Sequence, residues 1–553
     1  GMDYHLTRRA FLNGIASVGG IGAAYMALTA FDMMGHGALA QSKTTAALPS
    51  DSLKGKSIIV IGAGLAGLCS AMRAARAGAN VQILEATKRA GGRSMTLRNG
   101  DSFRELNWNS TSKMVFEQVS EVSPNDPDNY LNAGPGRIPQ HHSRVLDYCK
   151  DLGVALQPYL YVDKANLLQN DAWNQGRPVQ VRRLKNDLRG HLAELIAKAK
   201  NKNTLDLNMS PSDTEAFLQM LTHFGQLSEE GAKLVYTGAS LKNDYIRSGY
   251  SINAGNVRNS GKPWPTLTLD EIMQSDFWNS EMFNDLEYFW QTSLMQPIDG
   301  MDMIWKGFLP QETPSGKVES MIVYDTPVKS ISVTSSNVLV TSVNGAKYSA
   351  DFVIATLSAP ILARLDGNFI DPIMRDNLSR VDIEPACKVG FQGRSRFWEQ
   401  ENRIYGGISW TKGIIRQIWY PNYSFNSPTG ILTGAYNDGE QALEFAKLSR
   451  EQRLESALYW GGKLHDDFKK KVFADNGVSI AWAEMPYQAG GWANDTAYNQ
   501  SEVFEYMASA DPVYRKVYFA GDWFSYWPGW QVGALDSAHF ATDQIVEASL
   551  KVK

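Results

Sequence analysis

Ile58-Ile59-Val60-Ile61-Gly62-Ala63-Gly64-Leu65-Ala66-Gly67 is the stretch that decides the fold. Four consecutive β-branched residues read as a short parallel strand buried on both faces. They run directly into three glycines at G-x-G-x-x-G spacing. Beyond the glycines Leu65, Leu68, Met72 and Ala75 return at helical spacing as far as Gly78, and a second strand, Val81-Gln82-Ile83-Leu84, ends at Glu85. A glycine motif alone is a weak signal, but strand, helix and acidic terminus together form a complete βαβ dinucleotide site. Gly62 permits the tight turn, Gly64 lets a pyrophosphate approach the backbone, and Gly67 allows close helix packing. Glu85 can accept hydrogen bonds from ribose hydroxyls, and its charge disfavours a 2′-phosphate.

Upstream, Thr7-Arg8-Arg9-Ala10-Phe11-Leu12 precedes an uncharged Gly/Ala-rich run from Gly14 to Phe31, and Ala38-Leu39-Ala40 follows. Basic, apolar and small-residue regions in that order predict an export signal over residues 1–40, and the paired arginines resemble a bacterial twin-arginine signal. The alternative is a retained anchor, because the run is near the short limit for crossing a bilayer. The expected location is therefore exported, periplasmic or secreted, with membrane association through residues 14–31 if the segment stays. Gly1 before Met2 has the look of a cloning remnant.

At 553 residues the chain exceeds what one core usually supports, so several sub-domains are expected. With 43% hydrophobic and 20% charged residues the composition is that of an ordinary globular protein, whereas 15 Trp and 23 Tyr favour aromatic pockets. The net charge of −4, without a long basic run, argues against nucleic acid as a partner. Cys69, Cys149 and Cys387 are too far apart in sequence for a metal-ligand pattern, and three buried thiols are expected.

Two further segments belong with the nucleotide motif: Arg89-Ala90-Gly91-Gly92-Arg93 directly after Glu85, and Val517-Tyr518-Phe519-Ala520-Gly521-Asp522 near the other end. With Gly134-Pro135-Gly136-Arg137-Ile138-Pro139, Cys387-Lys388-Val389, Gly434-Ala435-Tyr436, and Trp482 to Gly491 with Asp522 to Trp530, they make the chain resemble the flavin amine oxidase family and, within it, the L-amino acid oxidases. The resemblance covers most of residues 54–548 and is loose over 99–130 and 160–290. It implies FAD, with Arg89, Gly92 and Arg93 facing the diphosphate and Asp522, after Gly521, holding the ribityl chain. Gly136, Val328, Trp482, Tyr487 and Val532 are expected along the same cofactor. Covalent relatives carry a flavin-linked cysteine where Trp492 stands here, so the FAD is expected to be non-covalent.

The resemblance places Arg137 where the amino-acid branch holds the substrate carboxylate, and a guanidinium fork suits that group; its bland reading is a surface arginine before a helix. Tyr436 resembles the tyrosine that shares the carboxylate, against simple strand packing. Lys388, on an alternating strand, resembles the lysine that holds a water near flavin N5, against a solvent-facing edge lysine. Trp492 and Trp530 would wall the pocket, with the Gly529 carbonyl accepting from the substrate amine, against core packing for either indole. Some relatives carry a histidine on a helical lid, and Asn279 to Phe289 contains none, which leaves a general base unassigned.

The expected fold class is α/β: a Rossmann-type, glutathione-reductase-like FAD domain from 54–98, 303–385 and 509–553, an antiparallel substrate sheet from 99–184 and 386–508, and a helical lid domain over 185–302. In the lid, Leu192, Leu195 and Ile196 are expected on one helix face and Phe217, Met220 and Leu221 on another. The expected reaction is oxidative deamination of L-amino acids, large apolar or aromatic ones from the two tryptophans, to 2-oxo acids, ammonia and hydrogen peroxide. The partners are then an amino acid and O2, with a homo-oligomer, a dimer, common at this size. An amino-acid 2-monooxygenase, an amine dehydrogenase, and a membrane-anchored flavin-binding protein without turnover stay open.

Overall fold

A computed structural model describes residues 44–108, 110–238, 246–279, 281–494, 500–509 and 516–551. Ser57–Ile61 is the middle strand of a five-stranded parallel sheet whose order is Ile322–Val323, Asn80–Leu84, Ser57–Ile61, Phe352–Ala355, Val517–Phe519. Ile58 to Ile61 are all buried, because helices Leu65–Arg76 and Gln531–Lys551 cover one face and a separate apolar cluster fills the other. Distant chain segments thus meet in one α/β layer, and the edge strand Ile322–Val323 has too few residues to register as a sequence pattern.

The second layer is a seven-stranded sheet, in order Val478–Ala481, Cys387–Gln392, Ile431–Asn437, Gln417–Trp419, Ile408–Thr411, Leu167–Gln169, Val179–Gln180. It is mixed rather than wholly antiparallel: Leu167–Gln169 joins Ile408–Thr411 in parallel. Of the segment Ile414 to Tyr420 only Gln417–Trp419 is strand, because Arg416 adopts a left-handed turn at φ 59°.

Residues 181–225 form two antiparallel-packed helices, Val181–Asn201 and Pro211–Gly225. Leu192, Leu195 and Ile196 are exposed, and the first helix instead buries Leu184, Asp187, Gly190, Ala193 and Ala197. Close approach selected that face. A Cβ on Gly225 would stand 2.4 Å from the Ala193 side chain, so small residues rather than large ones mark the contact. Buried Asp187 accepts hydrogen bonds from Tyr236, Ser248 and the Leu267 amide, which satisfies its charge. Met220 is exposed as well, while Leu221 is buried.

Two expectations are corrected. Neither the membrane association nor the exported or anchored location expected from residues 14–31 finds support: no helix among the described residues is long and apolar enough to cross a membrane. The stretch 14–31 and the paired arginines lie outside the described residues. All three cysteines are free and buried.

One ion pair anchors the second layer next to the site. Arg453, in helix Arg450–Leu464, meets Glu105 at 2.9 and 3.0 Å with both side chains fully buried. Arg453 also reaches the Phe445 and Ala446 carbonyls, while Glu105 accepts from the Ala481 amide. Removing one partner strands a buried charge, so Glu105→Gln is expected to lower the unfolding free energy by about 3–5 kcal/mol in urea denaturation.

Candidate active site

One continuous cavity of about 520 Å³ runs from the glycine turn to the aromatic residues of the second sheet. At its first end Gly62 has φ +107°, and a Cβ there would strike Thr356 Oγ1 at 2.4 Å. A Cβ on Gly67 would lie 1.9 Å from the Gly62 carbonyl oxygen, so its role is packing; Gly67 does not line the cavity. Gly64 does, with open space where a side chain would be. No side chain caps the helix that starts after Gly64, and no acidic residue occupies its first turn. Its amide N–H groups are thus left for an anion.

Glu85 lines the cavity with its carboxylate held by the Ala63 amide at 3.0 Å and by the Thr87 amide and hydroxyl at 2.8 and 2.9 Å. Gly92, Gly136, Val328, Trp482, Tyr487 and Gly521 also face the space. Arg93 donates to the Gly491 carbonyl and pairs with Asp522 at 2.5 Å, and Asp522 accepts from the Gly529 amide with its other oxygen. Arg89 does not line the cavity. Its guanidinium donates to the Ala90 and Gly92 carbonyls, shaping the turn that carries Arg93, and burial lowers its pKa. Val532 likewise lies outside the cavity, buried in the first turn of helix Gln531–Lys551.

At the other end, the Gly134–Gly136 segment is threaded between two walls. A Cβ on Gly134 would stand 1.8 Å from the Arg93 carbonyl oxygen, and one on Gly136 would stand 2.9 Å from the Trp419 ring. This close passage delivers Arg137 into the cavity. Its guanidinium carbon lies 4.3 Å from the Trp419 ring centroid, 4.4 Å from Trp290, 5.1 Å from Tyr161 and 5.7 Å from Tyr159. The Tyr159 hydroxyl is 3.5 Å away, and Arg137 makes no ion pair among the described residues. Ring faces stabilise a partly desolvated cation, by about 0.5–2 kcal/mol each, without neutralising it.

Lys388 is buried under the Trp419 and Tyr436 rings, with Nζ donating to the Asn132 and Gly134 carbonyls at 3.0 and 2.6 Å. Desolvation, and then the like charge of Arg137, lower its pKa to about 7. Burial raises the Tyr436 pKa, so its phenol stays protonated. Trp492 sits 6.5 Å from Tyr436 and against Gly529, while Trp530 stacks on Phe289 at 5.9 Å and tilts against Trp290 at 5.4 Å. The predicted site residues Arg137, Lys388, Tyr436, Trp492, Gly529 and Trp530 therefore share one end of one cavity.

Sequence reading missed the rest of this end. Tyr159, Tyr161, Trp290 and Trp419 come from three separate segments, and nothing local distinguishes them from core aromatics. Asn284, Gln417 and Asp438 also line the cavity. The short turn Glu281–Leu286 that carries Asn284 is tied down by Lys412 and Arg416 to Glu281 at 3.3 and 3.4 Å and by Lys185 to Asp285 at 2.8 Å. That region lacks a histidine of its own, but the structure packs His141 and His142 against it: His141 lies 5.3 Å and His142 6.2 Å from Phe289, and His142 also lies 5.0 Å from Trp530. Burial, then His141, pushes the His142 pKa down to about 3, so it is neutral at ordinary pH, and neither ring lines the cavity.

The family described as flavin containing amine oxidoreductase matches residues 65–546, and the chain belongs to it. An L-amino-acid oxidase of Mus musculus is 27% identical over 499 residues, 88% of this chain and 70% of that protein. One from Protobothrops flavoviridis is 26% identical over 519 residues, 89% of both. The solved cyclohexylamine oxidase of Brevibacterium oxydans superposes with a TM-score of 0.56 at 15% identity, over 89% of this chain and 99% of that one, and so shares the fold. The cofactor is FAD, held without a covalent bond. The residues present fit it: an uncapped helix start, the open face of Gly64, pinned Glu85 and Asp522, and no cysteine along the cavity.

The buried lysine has a thermodynamic signature. Its folded pKa near 7 lies below the unfolded value of about 10.4, so between these pH values the unfolded chain binds a proton that the folded chain lacks. Stability then rises with pH across that window, by up to about 1.4 kcal/mol per pH unit from this group. Lys388→Met is expected to remove that rise, read as the difference between parent and variant unfolding free energies at pH 7, 8 and 9.

Proposed function

We propose that this member of the flavin containing amine oxidoreductases oxidises L-amino acids at the α-carbon, giving the 2-oxo acid, ammonia and hydrogen peroxide from the amino acid, dioxygen and water. The observation that carries the reading is Arg137: a half-buried guanidinium in a cage of four aromatic rings, facing the cavity with no acidic partner among the described residues. A charge so placed calls for an anionic ligand, and a carboxylate satisfies both prongs of the fork in two parallel hydrogen bonds. Two-point binding sets orientation as well as affinity, which is the larger part of what the protein contributes when a cofactor does the redox chemistry.

Bound FAD supplies the acceptor for the hydride of the α C–H bond and passes the electron pair to dioxygen. The chain's own residues hold the substrate. Arg137 grips the carboxylate, and the Tyr436 phenol, kept neutral by its burial, donates to the same group. The Gly529 carbonyl accepts from the amine, while Trp492 and Trp530 confine the side chain and keep water out. Lys388, whose pKa burial and then Arg137 lower to about 7, can hold a water while carrying only part of a second charge beside Arg137. The imine leaving the site is then hydrolysed by water.

Truncating Arg137 leaves a carboxylate facing apolar rings. Arg137→Met is expected to reduce kcat/KM for L-leucine and L-phenylalanine at least about thirtyfold, the equivalent of 2 kcal/mol, in a coupled peroxide assay. Amines without a carboxyl group should be poor substrates of the parent. Equal turnover of leucine and isopentylamine would overturn the reading, and release of an amide with carbon dioxide would replace it by a monooxygenase.

A further inference from the structure

Six charged side chains line the described cavity: Glu85, Arg93, Arg137, Lys388, Asp438 and Asp522. Four have work within the protein. Glu85 is held by amides and a hydroxyl, Arg93 and Asp522 neutralise each other, and Lys388 donates to two carbonyls. The remaining two, Arg137 and Asp438, have opposite signs and no counter-charge. Asp438 precedes helix Gly439–Lys447, yet its side chain does not cap that helix, and its carboxylate makes no hydrogen bond or ion pair among the described residues. It is half-buried. Neighbouring Glu384 adds negative potential at the same place but is engaged by the Gly439 and Asn494 N–H groups.

The two unmatched charges are ordered along one wall. Trp419 covers Arg137, Tyr436 lies 5.0 Å from Trp419, and Trp492 lies 6.5 Å beyond Tyr436. Asp438 follows Tyr436 by two residues in extended backbone, φ −142° and ψ −177°, so both side chains leave the chain on the same side, about 7 Å apart at Cα. A substrate whose carboxylate lies on Arg137 and whose side chain runs past Tyr436 and Trp492 therefore ends near the Asp438 carboxylate. Aromatic faces suit the methylenes of such a chain and also attract a cationic end.

We propose that Asp438 determines specificity for the substrate side chain, and that the preferred substrates are L-amino acids ending in a cationic group, of the lysine, ornithine or arginine kind. The inference rests on Arg137 as the carboxylate anchor. It replaces the apolar or aromatic preference drawn from Trp492 and Trp530, because those indoles accept either kind of chain whereas an unmatched carboxylate discriminates. A neutral side chain would leave Asp438 partly desolvated and unpaired, which disfavours it.

The test uses the FAD-loaded enzyme and two ligands that lack an α-amino group and so cannot be deaminated at the α-carbon: 6-aminohexanoate, and hexanoate, which has no terminal ammonium. Calorimetric titration is expected to show 6-aminohexanoate bound at least about tenfold more tightly than hexanoate, a half-buried ion pair's share, with Asp438→Asn and Asp438→Leu bringing the ratio close to one. In turnover the ratio of kcat/KM for L-lysine over L-leucine should fall at least about tenfold in Asp438→Asn. A parent ratio of one or less, or a ratio that the substitutions leave unchanged, overturns the proposal for Asp438 while leaving Arg137 untouched. Hexanoate binding that survives in Arg137→Met overturns both readings together.

Discussion

The ion pair between Arg93 and Asp522 is the joint on which the site depends. Arg93 comes from the turn after the first βαβ unit and Asp522 from the loop after the last strand of the same sheet, so the pair closes the parallel layer around its cavity. The same two residues also hold the aromatic end of the cavity: Arg93 grips the Gly491 carbonyl beside Trp492, and Asp522 accepts from Gly529 beside Trp530. One half-buried contact therefore sets the spacing between the two ends of the cavity. Because Asp522 uses both oxygens on protein donors, its position is set before any ligand enters.

The cavity treats its charges in two ways. Near the nucleotide end each carboxylate is matched by amide or guanidinium donors, so the cradle is preorganised and electrostatically quiet. At the pocket end Arg137 is surrounded by quadrupoles instead of anions, which stabilise it without satisfying its fork. Burial first, and then that neighbouring charge, drive Lys388 towards its neutral form. Two full positive charges under the same aromatic roof would repel, and the lower pKa of the lysine relieves the conflict while keeping its hydrogen bonds to Asn132 and Gly134.

The helical region from residue 181 packs without a long apolar helix face. Helix Val181–Asn201 buries glycine, alanines and a hydrogen-bonded aspartate and leaves its leucines outside, so close backbone approach dominates there. Ion pairs from Lys185, Lys412 and Arg416 then hold the turn that carries Asn284, and Trp290, which follows it, lies over Arg137. His141 and His142, from the start of a different helix, fill the space behind Trp530 and Phe289.

By itself the sequence determined the parallel dinucleotide layer, because a doubly buried β-branched strand, a glycine turn and an acidic strand end are local patterns with local causes. It also singled out Arg137, Lys388, Tyr436, Trp492 and Trp530, which line one cavity, through motifs whose spacing is kept within short segments. Only the tertiary structure decided what those residues touch. The rings around Arg137 arrive from sequence positions 159 to 419, the buried face of helix Val181–Asn201 followed small residues rather than large apolar ones, and Arg89 braces its own loop. Asp438 was indistinguishable from a helix cap until its carboxylate was seen without a partner in the cavity wall. Charge matching is a property of space, not of order along the chain, so a residue's partners, or their absence, emerge only when distant segments are packed together.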